Sequence, residues 1–219
     1  VARITMNRPD VMNAFGGKLG AEVWDCYADA SNDPMIGVVV LTGVGDRAFC
    51  VGGFVPDYLK AAEGGVPIGG GVEERERRGG GGPGNEGMRQ CRKPTIARVN
   101  GYCIGHGHHL ALQCDITIAA EHAIFGHNGP RIASAASGSY TSYLTFLIGA
   151  KKAREMVLLC GRFTAQEAFE MGLVNKVVRF AKLDEEVDKW CEEILKSSPT
   201  VIELRKKSFD VQWELGEPR

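Results

Sequence analysis

The stretch KPTIARVNGYCIGHGHHLALQCDITIAAEHAIFG, residues 93–126, decides the fold class. KPTIARV and DITIAA are short apolar runs rich in β-branched residues, which is typical of buried strands. HHLALQC, between them, indicates a short buried helix. This strand–helix–strand order predicts a layered α/β fold.

The same patterns continue on both sides of this stretch. Further strands are predicted in RITMN at 3–7, IGVVVLTG at 36–43 and VNKVV at 174–178. Amphipathic helices are predicted through 19–27, in GAKKAREMVLLC at 149–160, in TAQEAFEMG at 164–172, and in two C-terminal segments, 183–199 and 200–215. Thr164 and Glu167 have capping-box spacing, and Gly172 is placed to end that helix. We predict one core over residues 1–178 and a helical C-terminal region over 179–219.

Composition excludes several classes of function. The 219 residues are 44% apolar and 24% charged, which favours one globular domain with a sizeable core. The net charge of -1 lacks the excess of positive charge that is typical of nucleic-acid-binding proteins. The seven cysteines form no CxxC pair, which favours reduced thiols in the cytoplasm. No apolar run approaches the roughly 20 residues that cross a bilayer. The chain starts without Met, and we expect it to be a trimmed form of a longer protein, incomplete in its C-terminal region as well.

Glycine is concentrated in one segment. The chain has 29 glycines, about twice the usual share, and many lie in GGVPIGGGVEERERRGGGGPGNEG. The segment has no sustained apolar periodicity, so we predict a flexible loop over about residues 64–87. A solvated linker is favoured over a lid on a binding site.

Two glycine-bearing turns are candidates for chemistry, RAFCVGG at 47–53 and VNGYCIGHG at 99–107. Neither matches a Walker or a GxGxxG phosphate-binding motif. Their backbone N–H groups would together form an oxyanion hole if the turns converge, although glycine turns are often only structural. The second turn leads into three of the five histidines. His106 and His109, at i, i+3, would share a helical face, but no third ligand has suitable spacing, and we predict no metal site.

Four segments occur in an order that resembles the crotonase superfamily, the enoyl-CoA hydratase/isomerase family. They are MNRPDVMNA at 6–14, DRAFCVGG at 46–53, the stretch at 93–126 and GRFTAQEAFEMGLVNKVV at 161–178. The resemblance implies the crotonase (ClpP-like) α/β fold, a spiral of ββα units with a C-terminal helical region. It implies an acyl-CoA thioester substrate, with coenzyme A as part of the substrate and no tightly bound cofactor, and homotrimers or hexamers.

The resemblance also implies roles for individual residues. The two amides that hold the thioester carbonyl would belong to Gly53 and His106. His109 occupies the position of the first hydratase glutamate, and Gly129 occupies that of the second. Phe54 replaces a frequent acidic residue. His109 is therefore the candidate acid–base group, because an imidazole titrates near neutral pH. The alternative is that its substitution marks a lost or redirected activity.

The segment FGHNGPRIASAASGSYTSYL at 125–144 is similar to another branch, the dihydroxynaphthoyl-CoA synthases and the hydrolases of ring ketones attached to CoA. Gly129, Pro130 and Ser134 match that branch, whereas Ala136 replaces its aspartate. The predicted substrate-binding residues are Cys50, Gly52, Phe54, His127, Gly129, Ser134 and Tyr140. Three functions remain open: a hydratase/isomerase-family enzyme of fatty acid metabolism with an atypical acid–base group, a carbon–carbon lyase or hydrolase acting on a cyclic acyl-CoA, and an inactive homologue that binds acyl-CoA or a partner.

Overall fold

A computed structural model describes residues 1–16, 18–63, 88, 90–132 and 138–215. The predicted loop at about 64–87 and Ser134 lie outside the described residues. The strands are β1 (Ala2–Met6), β2 (Val39–Gly43), β3 (Ala48–Cys50), β4 (Thr95–Val99), β5 (Tyr102–Ile104), β6 (Ile116–Ala120), β7 (Ile124–Gly126), β8 (Arg162–Thr164) and β9 (Lys176–Val178). The helices are α1 (Lys18–Asn32), α2 (Val55–Glu63), α3 (His106–Gln113), α4 (Gly138–Ile148), α5 (Ala150–Leu158), α6 (Ala165–Glu170), α7 (Leu183–Leu195) and α8 (Pro199–Leu215).

These strands form two sheets. The larger sheet has the order β1-β2-β4-β6-β9, and all of its neighbouring strands are parallel. The smaller sheet has the order β3-β5-β7-β8, in which only β8 runs antiparallel to its neighbour. The mixed α/β class predicted from the sequence is confirmed.

From β2 to β7, consecutive strands alternate between the two sheets. In each of the pairs β2–β3, β4–β5 and β6–β7, the first strand joins the larger sheet and the second joins the smaller. Helix α2 follows the first pair, and α3 follows the second. This is the ββα repeat that the resemblance implied. It places the ends of β3 and β5 beside each other, because these two strands are parallel neighbours.

Both faces of the larger sheet are covered. Val39 and Leu41 belong to the main core, whereas Val38 and Val40 point to the other face, where Leu183 and other side chains of α7 pack. Residues 39–43 and 95–99 are buried throughout, as expected for parallel strands covered on both sides. Helix α7 is thus a layer of the fold.

A charged pair fastens α7 to this sheet. The guanidinium of Arg98, on β4, donates through Nε and Nη2 to the two carboxylate oxygens of Asp184, at 2.8 and 2.9 Å. Arg98 is buried, and it also contacts the hydroxyl of Thr42 at 3.2 Å. The predicted division at residue 178 stays a prediction, but α7 packs against the sheet of residues 1–178.

The local helix signals behave as the sequence predicts. The hydroxyl of Thr164 accepts the Glu167 N–H, and the Glu167 carboxylate accepts the Thr164 N–H, which completes the capping box of α6. Gly172 has φ of +85° just after this helix. Within the described part of the chain, no helix has the length and apolar character needed to cross a membrane.

Candidate active site

The two glycine-bearing turns meet at the ends of β3 and β5. A methyl group on Gly52 would lie 3.5 Å from the amide nitrogen of His106, and one on Gly105 would lie 3.7 Å from Gly52 Cα. Gly52 and Gly105 have φ of +106° and +57°, a region that disfavours side chains. His106 itself is not at a positive φ. Glycine therefore occupies the strained positions, and His106 is free to begin α3.

The amides of Gly53 and His106 lie on these turns. His106 is the first residue of α3, and the N–H of a first helical residue has no acceptor within its own helix. Gly53 forms a parallel bridge with Phe15, in which Phe15 N–H donates to Gly52 O and Phe54 N–H donates to Phe15 O. In this pattern the N–H of Gly53 points away from Phe15. Two N–H groups on adjoining turns are able to donate to one carbonyl oxygen.

At Gly107 the backbone of α3 lies close to the end of β3. A methyl group there would lie 2.0 Å from the carbonyl oxygen of Cys50. The glycine after His106 thus lets the start of the helix lie directly against the turn that carries Gly53. The Cys50 thiol is buried, and burial raises its pKa to about 12, so this side chain is a core group rather than a nucleophile.

Four of the five histidines converge beside the turns. His109, His127 and His108 are buried, and His106 is half-buried. His109 Nε2 and His127 Nε2 are 3.3 Å apart, and the His109 ring lies over the Tyr140 ring with centroids 3.5 Å apart. These contacts bring together His109, His127 and Tyr140, which the sequence analysis named separately.

Burial keeps this cluster neutral. It lowers the pKa of His106 to about 4 and that of His108 to about 3. Burial, and then repulsion by the neighbouring histidines, holds the pKa of His109 well below 6.5. Burial and Arg162 lower the pKa of His127. At neutral pH the site therefore offers uncharged imidazoles, each able to donate one hydrogen bond and accept one.

Tyr140 is held by His108, a residue that the sequence analysis did not single out. The Tyr140 hydroxyl lies 2.9 Å from His108 Nδ1, and burial raises the pKa of this phenol above its usual value. Tyr140 is 32 positions from His108, so the sequence gives no spacing signal for the pair. Asn128 was also missed: its Oδ1 would lie 2.8 Å from a methyl group on Gly105.

Gly129 and Phe54 have defined surroundings. The N–H of Gly129 donates to His127 Nδ1 at 3.1 Å. Phe54 lies under the Arg8 guanidinium, 4.5 Å from the ring centroid, and lines a cavity of about 280 Å³. The charged groups lining this cavity are Arg8, Lys18, Glu22 and Asp57. Whether any of the predicted substrate-binding residues contacts a substrate stays a prediction.

A metal centre has no support in the described part of the chain. No three His, Cys, Asp or Glu side chains there are grouped to hold a metal ion. The rings of His106 and His109, the pair considered from their spacing, have centroids 5.7 Å apart.

This chain is similar to a known protein family and to several solved structures. The family model for enoyl-CoA hydratase/isomerase matches residues 1–219. An enoyl-CoA hydratase from Bacillus anthracis is 31% identical, with a TM-score of 0.80 over 95% of this chain and 78% of that chain. An enoyl-CoA hydratase/carnithine racemase from Magnetospirillum magneticum is 27% identical, with a TM-score of 0.84 over 99% and 78%. A monofunctional enoyl-CoA isomerase from M. smegmatis is 29% identical, with a TM-score of 0.77 over 97% and 88%. These similar structures include hydratases and an isomerase, so they do not single out one reaction.

Proposed function

The chain belongs to the enoyl-CoA hydratase/isomerase family, and we propose that it is an enzyme that stabilises the enolate of an acyl-CoA thioester. The observation that carries this proposal is the meeting of the Gly52–Gly53 turn with the start of α3. The amides of Gly53 and His106 donate to the thioester carbonyl oxygen. Each preorganised donor of this kind contributes about 2.7–4 kcal/mol to transition-state stabilisation.

His109 is the acid–base group in this proposal. It lies three residues after His106 on α3, in the position that matches a hydratase glutamate, and burial keeps it neutral. A neutral imidazole takes up a proton more readily when a negative enolate forms nearby, because the two charges then attract each other in a medium of low dielectric constant. The chemistry is proton transfer at the carbon next to the thioester. The matching position for a second glutamate is Gly129, so addition of water by two carboxylates is not proposed.

The cavity beside Phe54 supports a CoA ester as the ligand. It adjoins the residue that follows Gly53, and it offers the cations of Arg8 and Lys18 to phosphate groups. Glu22 and Asp57 line the same cavity and limit its positive charge. The cavity therefore supports binding of a polar, phosphorylated carrier with its acyl end towards the turns.

The test is a panel of enoyl-, cyclohexenyl- and aryl-CoA thioesters incubated with the protein in D2O and analysed by mass spectrometry. Formation of an enolate exchanges a hydrogen on the carbon next to the thioester for deuterium, even when no net product accumulates. We expect exchange or conversion with at least one thioester. In His109→Ala the rate falls by about 10²–10⁴-fold, while the thioester still binds.

His122→Ala is the matched control. His122 is an exposed histidine whose Nε2 donates to the carbonyl of Asp46 at 2.8 Å, away from the cluster. It should retain the full rate. Thioesters that all bind but show neither exchange nor conversion would overturn the enzyme proposal in favour of an acyl-CoA-binding protein. A product with a new or broken carbon–carbon bond would assign the chain to the ring-forming or ring-opening branch, which the Gly129 segment resembles.

A further inference from the structure

We propose that His127 is a positioning residue that fixes the tautomer of His109, so that the neutral His109 carries its proton on Nδ1. The role in catalysis rests on the proposed function, whereas the tautomer is a property of the protein alone. The inference comes from the hydrogen bonds made by the two ring nitrogens of His127.

The first of these bonds decides where His127 carries its own proton. Gly129 N–H donates to His127 Nδ1 at 3.1 Å, so Nδ1 must supply a lone pair. A neutral imidazole holds one N–H and one lone pair. The proton of neutral His127 is therefore on Nε2.

The second bond transmits this choice to His109. The two Nε2 atoms are 3.3 Å apart, and the ring planes are only 20° apart. The ring centroids are 5.5 Å apart, which equals the nitrogen–nitrogen distance plus the two ring radii. The rings thus lie edge to edge, with the N–H of one aimed at the in-plane lone pair of the other. Because His127 Nε2 donates, His109 Nε2 accepts, and the proton of His109 is on Nδ1.

The His127 backbone and the His109 ring are also restrained by neighbouring side chains. Arg162 Nη1 donates to the backbone carbonyl of His127 at 3.0 Å, which fixes the segment that carries this ring. The His109 ring is held from one side by Tyr140, whose own hydroxyl is bonded to His108. The tautomer thus follows from a chain of contacts that runs from Gly129 through His127 to His109.

This arrangement has a consequence for the reaction. In the resting protein the only N–H that His109 offers is on Nδ1. A proton that His109 delivers to the substrate therefore comes from Nδ1, and the tautomer set by His127 decides whether this donor is present. The arrangement also argues against a metal ion between the two Nε2 atoms, because one of them carries a proton.

The tautomers are measured by long-range ¹⁵N–¹H correlation spectroscopy on the full chain labelled with ¹⁵N-histidine. We expect a protonated Nδ1 and an unprotonated Nε2 for His109, and the reverse for His127. A protonated Nε2 on His109 would overturn the proposal. The measurement needs no substrate, so its outcome is independent of the proposed function.

Two variants test the positioning role. His127→Leu removes the donor, and we expect a mixture of His109 tautomers and a kcat lowered by about 10-fold or more, with KM little changed. His127→Gln retains an N–H donor in a side chain of similar reach, and it should restore one tautomer and most of the kcat. A single unchanged tautomer in folded His127→Leu would refute the positioning role. If no thioester reacts at all, the proposed function fails and the spectra alone decide the tautomer.

Discussion

Replacing Gly107 with alanine tests whether the close contact between α3 and β3 builds the site. The added methyl group would lie 2.0 Å from the Cys50 carbonyl oxygen, whereas real Cβ atoms essentially never come closer than 3.0 Å. The helix start and the strand end must therefore separate by about 1 Å, a misplacement that costs an active site about 10²-fold in rate. Overpacking against backbone, which cannot rotate away, costs about 3 kcal/mol of unfolding free energy.

The assays are urea denaturation followed by circular dichroism, and turnover of the best thioester from the panel. Gly149→Ala is the control: a methyl group there meets nothing within 4 Å, but its φ of +77° makes the substitution strained. That strain costs about 1–3 kcal/mol without touching the turns. We expect both variants to lose stability and only Gly107→Ala to lose turnover. A Gly107→Ala protein with unchanged turnover would show that the reasoning about the contact is wrong.

Two further predictions concern stability. His108 has a folded pKa of about 3 against about 6.5 when unfolded, so the unfolded chain takes up a proton first as the pH falls. Protonation of His108 in the unfolded chain lowers the unfolding free energy by about 2 kcal/mol at pH 5. In His108→Phe the unfolding free energy should therefore fall less steeply between about pH 6 and pH 4 than in the wild type. Equal pH dependence of the unfolding free energy in the two proteins would contradict this. Arg98→Ala should lose about 1 kcal/mol, because Asp184 is mostly exposed and the pair is partly screened. Arg98→Lys should recover little of this lost unfolding free energy, because lysine cannot make the bidentate contact with the carboxylate. An Arg98→Lys protein as stable as the wild type in urea denaturation would refute the role of that geometry.

The sequence predicts the larger sheet much better than the smaller one. All five strands predicted from the residues, β1, β2, β4, β6 and β9, belong to the larger sheet. The strands of the smaller sheet have three residues each, and no periodic pattern shows in so few residues. Strand β9 is equally short, but it lies within the longer apolar segment VNKVV at 174–178, which made it predictable. They were implied only by the resemblance to a fold of ββα units. Helices α2 and α4 were not predicted either, whereas the capping box of α6 was, because its signal lies within four residues.

The candidate site, like the fold, could be predicted from the sequence only in part. The two turns and the position of His109 follow from local motifs and their resemblance to a family. The contacts of His109 with His127 and of Tyr140 with His108 join residues 18 and 32 positions apart, and no local pattern encodes them. Ser134 lies outside the described residues, and the homotrimer or hexamer stays a prediction.

The alternation of strands between the two sheets has a consequence for cooperativity. Each of the pairs β2–β3, β4–β5 and β6–β7 contributes one strand to each sheet. A segment that contains one of these pairs therefore cannot detach without breaking strand pairing in both sheets. Amide hydrogens in β4 and β5 should therefore exchange with the same free energy of opening. The turns that carry Gly53 and His106 follow strands of one sheet and are connected to strands of the other. The geometry of these turns is thus coupled to the pairing of both sheets, and an opening that separates β3 from β5 should also expose amide hydrogens of the larger sheet.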